Sequence, residues 1–184
     1  MQEAVRGDAR SVSVEPALGP WGMRLHWLTR VFALAGGAGF FALVLMSLAS
    51  IIGRKMAASP VPGDIELLQM GGAVAAAAML PLCEMERQHL RVDFFTTRLS
   101  LRARQWLDAV SHLLLGLVAA VVAWRTAAGA LSLHEAGETS MMLLWPVWTV
   151  VAAMVPSFAL LALAGLCNAV AYARAAQDRH RRCH

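Results

Sequence analysis

Four long runs of apolar residues dominate the chain, and each predicts a helix that crosses a membrane. The first run, residues 31–52, contains no charged side chain. At about 1.5 Å per helical residue, it is long enough for a hydrocarbon core of about 30 Å. Three further runs of the same character predict spans at about residues 67–83, 109–131 and 147–170. The pattern therefore predicts an all-α integral membrane protein with four transmembrane helices.

The amino-acid composition also indicates a membrane protein. Of the 184 residues, 58% are hydrophobic and 15% are charged, whereas soluble domains carry about 25% charged and about 45–50% apolar residues. A membrane protein is therefore favoured over a very apolar soluble bundle.

We expect a four-helix membrane domain over residues 31–172, between a tail at residues 1–30 and a basic tail at residues 173–184. The first apolar run is too long for a secretory signal, so we expect it to remain as an anchor.

Basic residues are distributed unevenly outside the apolar runs, and this predicts the orientation of the chain. The two tails and the loop between the second and third spans hold 13 of the 16 basic residues, whereas the other two loops share Arg54 and Lys55. Because cytoplasmic loops carry an excess of basic residues, we expect both termini and the central loop to be cytoplasmic. These patches adjoin apolar runs and do not alternate with aromatic residues, so lipid is the expected partner and nucleic acid is not.

The central loop has the pattern of a helix that lies flat in the membrane interface. Apolar side chains recur at helical spacing, and arginines flank them, as in interfacial helices whose cations reach lipid phosphates. Ser100 suits an N-cap better than a mid-helix position, so this amphipathic helix is predicted at about residues 90–99. The alternative is one continuous helix through Ser100 into the third span. The predicted lipid contacts are Arg91, Phe95, Arg98, Arg102 and Trp106.

Small residues in the first two spans predict close contact between helices. Gly36, Gly37 and Gly39 lie in the first span, and Gly71 and Gly72 lie in the second. Interfaces between membrane helices favour small residues, because lipid supplies no hydrophobic drive for association. The alternative is that these glycines are filler, since glycine is common in membrane helices. An interface is favoured for the second span, whose small residues cover most of its circumference.

Charged residues near the ends of the spans are candidates for contacts with other proteins. Asp64 stands where an N-cap belongs, and Glu66 falls in the first turn of the second span. An acidic side chain there complements the positive end of the helix. Glu66 is therefore interpreted either as a helix-end charge or as half of an ion pair with Arg54 or with a partner subunit.

Arg125 is the charged residue that lies inside a predicted span. A charge at that depth is costly and is a candidate functional residue by default. Either its side chain reaches the nearer membrane surface, or it pairs with a partner chain, with Glu135 or with Glu138. Arg54, Glu66, Arg125 and Glu138 together are the candidate contacts with partner subunits or docking proteins.

Catalytic, metal and cofactor sites are not expected. His112 is the one histidine inside a span, so no pair of histidines is available to ligate a haem between helices. Glu84, Glu86 and His89 lie close together, but their spacing matches no zinc-binding pattern. The spans also contain no acidic residue at mid-depth for proton coupling. These features argue against a membrane anchor for a redox enzyme and against an independent homo-oligomeric carrier.

Several short motifs occur in order along the four spans. The residues that carry them are Gly53, Pro62, Gly63, His89, Asp93, Pro146 and Trp148. In this order and spacing, residues 28–172 resemble the small membrane subunit (DctQ type) of tripartite ATP-independent periplasmic, or TRAP, transporters. Glu84 and Glu86 make the approach to the central motif more acidic than the family pattern implies.

The resemblance implies a supporting function in transport. In this family a large multi-span transport subunit carries the substrate and sodium sites, and a periplasmic binding protein delivers an organic acid. The small subunit braces the large one and helps the binding protein to dock, with no catalytic residue or cofactor of its own. The implied location is the bacterial inner membrane.

Overall fold

Four long helices make up most of the described part of the chain. The computed structural model describes the backbone of residues 14–57, 63–86 and 101–182, and the side chains over residues 22–56, 63–86 and 105–174. The helices are α1 (Val14–Ala57), α2 (Asp64–Met85), α3 (Leu101–Ala136) and α4 (Val147–Arg182). Each contains a stretch that is long and apolar enough to cross a membrane. The predicted all-α class and its four spans are therefore confirmed.

The predicted interfacial helix at residues 90–99 lies outside the described residues and stays a prediction. Several single residues from the sequence-based predictions also lie outside: Pro62, His89, Arg91, Asp93, Phe95 and Arg98. Arg102 belongs to the first turn of α3. Trp106 follows on the same helix with an exposed side chain, as a lipid-facing residue requires.

The helices pack as an open row. Within the described residues, α1 packs against α2, α2 against α4, and α4 against α3, while α1 also touches α4 to a small extent. In the same part of the chain, α3 packs along α4, and it reaches α2 through the side chains of His112 and Glu84. The helices α2 and α4 therefore form the centre of the row, and α1 and α3 form its edges.

Glycine permits close backbone contact where these helices cross. A Cβ atom on Gly165 of α4 would lie 2.9 Å from the Cα of Gly116 in α3, which is closer than real side chains tolerate. A Cβ atom on Gly36 of α1 would lie 2.8 Å from the carbonyl oxygen of Ala75 in α2. Such crossings allow the van der Waals packing that holds membrane helices together. The predicted interface role of Gly36 is confirmed, as is that of Gly71, whose Cβ would collide with a side chain of α1.

The start of α2 differs from the prediction by one residue. Gly63, and not Asp64, is the N-cap, and it adopts a left-handed backbone with φ 78°. Glycine takes this conformation without a steric penalty, whereas a side chain there is strained; a Cβ atom would also collide with Leu143. Asp64 is instead the first helical residue, and its Oδ1 accepts the backbone N–H of Ile65 at 2.8 Å.

The two ends of the row are distinct. At the connecting end α1 ends, α2 begins, α3 ends and α4 begins, and the terminal end carries the opposite ends of the four helices. Side chains bridge the helices at each end: Ser50 reaches Asp64 at the connecting end, and Glu84 reaches His112 at the terminal end.

Candidate functional site

Glu66, in the first turn of α2, holds the connection between α3 and α4. Its Oε1 accepts the backbone N–H of Met142 at 3.0 Å, and its Oε2 accepts the backbone N–H of Leu143 at 3.1 Å. The hydroxyl of Ser140 also donates to Oε2. Hydrogen bonds to a charged group are roughly twice as strong as neutral ones. Glu66 therefore fixes this connection firmly against α2.

The segment held by Glu66 is a compact turn, named here the 139–146 turn. Thr139 and Pro146 form an antiparallel bridge that closes it. Inside the bridge, the backbone N–H of Ser140 donates to the carbonyl oxygen of Trp145 at 2.9 Å. These bonds and the Glu66 carboxylate together give the turn one defined shape.

The turn presents large apolar side chains on its outside. Met141 is 94% exposed, Met142 is 74% exposed and Leu144 is 72% exposed. Leu144 also has φ 52°, a left-handed conformation that is unfavourable for a leucine. Backbone strain of this kind persists where the surrounding contacts impose it, and it is concentrated at functional positions. The turn is therefore a candidate surface for contact with another molecule.

A second polar contact at the connecting end joins α1 to α2. The hydroxyl of the buried Ser50 donates to Oδ2 of Asp64 at 2.5 Å, and Nη2 of Arg54 lies 3.5 Å from the same oxygen. The Arg54 side chain is 61% exposed, and exposed ion pairs contribute only about 0–1 kcal/mol to stability. Since Arg54 pairs with Asp64 and Glu66 binds the 139–146 turn, the ion pair considered between Arg54 and Glu66 is not formed.

Glu84, in the last turn of α2, is the centre of a polar cluster at the terminal end. Its side chain is fully buried, and its Oε1 lies 2.6 Å from Nδ1 of His112 in α3. Asn168 of α4 is also buried, and its Nδ2 donates to Oε1 at 3.1 Å and to the carbonyl oxygen of Glu84 at 2.9 Å. A buried carboxylate is costly unless it is paired and hydrogen-bonded. These contacts therefore allow Glu84 to join three helices inside the protein.

The Glu84 cluster is completed by an aromatic contact. The ring of His112 stacks on Tyr172 of α4, with centroids 5.2 Å apart and planes inclined by 8°. Among the residues that the structure describes, no three His, Cys, Asp or Glu side chains are grouped as metal ligands would be. The arrangement fixes the relative positions of α2, α3 and α4.

An apolar groove of about 840 Å³ runs between α1, α2 and α4. It exists because α1 packs along α2 and touches α4 only slightly. Leu143 and Trp145 of the 139–146 turn line its end near the connections, and no residue of α3 contributes to its lining. The lining contains no charged side chain.

Comparison with known families decides what kind of protein carries these features. Residues 43–175 match the family described as Tripartite ATP-independent periplasmic transporters, DctQ component. The matched region covers more than two thirds of the 184 residues and includes Glu66, the 139–146 turn and the whole Glu84 cluster. The chain belongs to this DctQ family. No curated protein and no solved structure matches it. It is thus a membrane component of a TRAP transporter, and the family identified from its motifs is confirmed.

The four candidate contact residues of this DctQ component do not form a single site. Arg54 and Glu66 lie at the connecting end, each with the partners described above. Glu138 lies at the same end with an exposed side chain, and its carbonyl oxygen accepts the backbone N–H of Val147 at 3.1 Å. Arg125 is exposed on α3 and makes no hydrogen bond or ion pair with a residue of the described ranges. Pairing of Arg125 with an acidic residue of its own chain is therefore not observed there.

The DctQ motif residues that the structure describes lie around the connecting end. Gly53 belongs to the last turns of α1, and Gly63 caps α2. Pro146 closes the 139–146 turn, and the ring of Trp148 packs against His134 with centroids 4.8 Å apart. This part of the family pattern therefore shapes the two short connections.

Sequence reasoning did not find the Glu84 cluster. Glu84 was grouped with Glu86 and His89, its neighbours in the chain. The search inside the spans was limited to pairs of histidines and to acidic residues at mid-depth. Glu84, His112 and Asn168 each lie near the terminal end of their spans, so a comparison of all polar residues by depth would have grouped them. That signal was present in the sequence, although the contacts themselves join residues 28 and 84 positions apart.

Proposed function

We propose that this DctQ component is the non-catalytic small membrane subunit of a TRAP transporter in the bacterial inner membrane. It braces the large multi-span transport subunit and helps the periplasmic binding protein to dock for ion-coupled uptake of an organic acid. The family match over residues 43–175 carries the proposal. The alternatives, an anchor for a redox enzyme and an independent carrier, have no observation of their own in their favour.

The distribution of polar groups supports a bracing role. The Glu84 cluster joins α2, α3 and α4 at the terminal end, while Glu66 and Asp64 join α2 to its neighbours at the connecting end. Secondary transporters build their sites from interrupted helices near the middle of the membrane. The described helices run without interruption through their apolar stretches, and the groove between them is apolar. The substrate and ion sites are therefore assigned to the large subunit.

The uneven distribution of basic residues supports an orientation with both termini in the cytoplasm. The terminal end then faces the cytoplasm and the connecting end faces the periplasm. In that orientation the exposed Glu138 and the 139–146 turn lie on the side from which the binding protein approaches. Trp145 and Trp148 lie at the same end, where aromatic residues suit the interface between lipid and water.

Reconstitution tests the proposed function. The chain, its co-encoded large subunit and the binding protein are purified and combined in liposomes with an inward sodium gradient, and uptake of the organic acid bound by the binding protein is measured. We expect uptake with all three proteins and none with any one omitted. Uptake by this chain alone would instead support an independent carrier, and a haem absorption band in the purified chain would support a redox anchor.

A further inference from the structure

The groove between α1, α2 and α4 has the length of a helix contact. Its wall on α1 runs from Phe32 to Met46 at helical spacing, which is about 21 Å at about 1.5 Å per residue. Its wall on α2 runs from Leu67 to Ala78. In a membrane such a space is filled, because an empty groove deprives its lining atoms of van der Waals contacts. A membrane offers two kinds of occupant, an acyl chain or another helix.

Gly39, in the α1 wall, leaves room for the backbone of a second helix to approach. Gly36 and Gly71 are explained by packing within the chain, because a Cβ on either would collide with the neighbouring helix. A Cβ on Gly39 would meet no atom of the described chain within 4 Å. Glycine inside a helix is nevertheless less favourable than alanine. A flexible acyl chain adapts to any wall, whereas close approach of a second backbone requires a small residue there.

The outer face of α3 provides a contrast that identifies the groove as the protein-binding side. Although α3 is also an edge helix, its exposed residues are large and aliphatic, among them Leu114, Leu117, Val118 and Val121. Large aliphatic side chains suit contact with lipid, and small residues suit contact with another helix. The outer face of α1 carries large exposed side chains as well, among them Leu34, Phe41 and Leu45, whereas its groove wall includes the small residues Ala35, Gly39 and Ala42. The groove therefore differs from the outer faces of both edge helices.

The 139–146 turn enlarges this surface. Leu143 and Trp145 of the turn line the groove, and the neighbouring side chains of Met141, Met142 and Leu144 are exposed. Glu66 holds the backbone of Met142 and Leu143 in place before any partner arrives. Preorganisation lowers the entropic cost of association, and methionine is enriched at protein interfaces. With the 19 lining residues the surface has about 22 residues, within the roughly 20–30 residues per side of a stable interface.

Charge restricts the occupant further. No residue that lines the groove is charged, so the matching face of the occupant is apolar along its length. Arg54 and Lys55 lie in the last turn of α1, beyond Met46 and at the same end as the 139–146 turn. Arg54 is already paired with Asp64, so Lys55 is the cation that favours an acidic side chain or the negative C-terminal end of a helix there.

We propose that an apolar transmembrane helix of the large transport subunit lies in this groove, with its end against the 139–146 turn. The inference rests on the proposed function, since it requires that partner. It assigns α1, α2 and α4 to the protein interface and the outer face of α3 to lipid.

A pair of glycine substitutions tests the assignment. Gly39→Leu fills the groove without a clash inside the chain, so the variant is expected to insert and elute normally on size exclusion. Recovery of the co-expressed large subunit with it is expected to fall about tenfold, because an added side chain forces a packed interface apart. The control is Gly129→Leu on α3, whose Cβ also meets nothing within 4 Å and which does not line the groove. Equal recovery with Gly39→Leu and Gly129→Leu would overturn the proposal.

Photocrosslinking in the assembled complex gives an independent answer. A photoreactive phenylalanine analogue is placed at Met46 or Met142, with Val121 of α3 as the control, and products are identified by mass spectrometry. Crosslinks to the large subunit from Met46 and Met142, and not from Val121, support the proposal. Phospholipid adducts at Met46, crosslinks between two copies of this chain, or large-subunit crosslinks from Val121 alone overturn it. If the large subunit does not co-purify with the unmodified chain, the proposed function fails as well, which separates the two outcomes.

Discussion

The Oε1 atom of Glu84 lies 2.6 Å from Nδ1 of His112, and this contact ties the last turn of α2 to α3 in a buried setting. Removing the carboxylate takes away the partner of the imidazole and one of the two acceptors of the Asn168 amide. We expect Glu84→Ala to lower the free energy of unfolding by about 3–5 kcal/mol, as loss of one partner of a buried pair does. Thermal unfolding of the detergent-purified protein measures the loss.

Two further variants separate this effect from a general loss of charge. Glu135→Ala removes an exposed carboxylate near the end of α3 and is expected to leave the unfolding temperature nearly unchanged. The double variant of Glu84→Ala with His112→Ala is expected to lose less stability than the sum of the single variants. Simple additivity would show that the two residues do not act as a pair.

Glu66 is expected to control the rigidity of the 139–146 turn. Glu66→Gln removes the charge and one of the acceptor oxygens that bind the backbone N–H groups of Met142 and Leu143. Since hydrogen bonds to a charged group are stronger than neutral ones, amide exchange in the turn is expected to accelerate by about tenfold or more. Hydrogen exchange followed by mass spectrometry measures this. Glu138→Gln, on an exposed side chain nearby, serves as the control and is expected to change nothing.

The crossing of α3 and α4 at Gly116 and Gly165 predicts a third result. Gly165→Ala places a Cβ 2.9 Å from the Cα of Gly116, and overpacking of this kind destabilises proteins by about 1–3 kcal/mol. Gly129→Ala is the matched control, because a Cβ there meets nothing within 4 Å and alanine is the better helix former. A lower unfolding temperature is expected for Gly165→Ala and an unchanged or higher one for Gly129→Ala. The reverse order would contradict the described crossing.

The proposed orientation is testable by labelling from the periplasmic side. In a variant whose three cysteines, Cys83, Cys167 and Cys183, are replaced by serine, single cysteines are introduced at Glu138 and at Arg174. A membrane-impermeant maleimide added to spheroplasts is expected to react with Glu138→Cys and to reach Arg174→Cys only after the membrane is permeabilised. Immediate labelling of Arg174→Cys would contradict a cytoplasmic C-terminus.

The helices could be predicted from the sequence because each apolar run is longer than a soluble protein needs and each is bounded by polar residues. Local patterns also placed Glu66 correctly in the first turn of α2. They did not decide between Gly63 and Asp64 as the cap, because aspartate is the commoner cap in general and only the turn geometry requires a left-handed residue.

The partners of the buried polar groups could not be predicted in the same way. Glu66 binds residues 74 to 77 positions further along the chain, and no periodicity carries that information. The burial of Glu84 could not be predicted from the sequence, because it depends on side chains that two other helices supply. The predicted helix at residues 90–99 and its lipid contacts remain predictions.

Because both short connections lie at the same end of the row, the chain consists of two helical hairpins, α1 with α2 and α3 with α4. Within the described residues the hairpins meet chiefly where α2 packs on α4. This arrangement allows each hairpin to enter the bilayer as a unit during synthesis, the first before the second exists. Glu66 and Glu84 remain without their later partners until α3 and α4 arrive. The two carboxylates join the second hairpin to the first, so these contacts form only after both hairpins have been made.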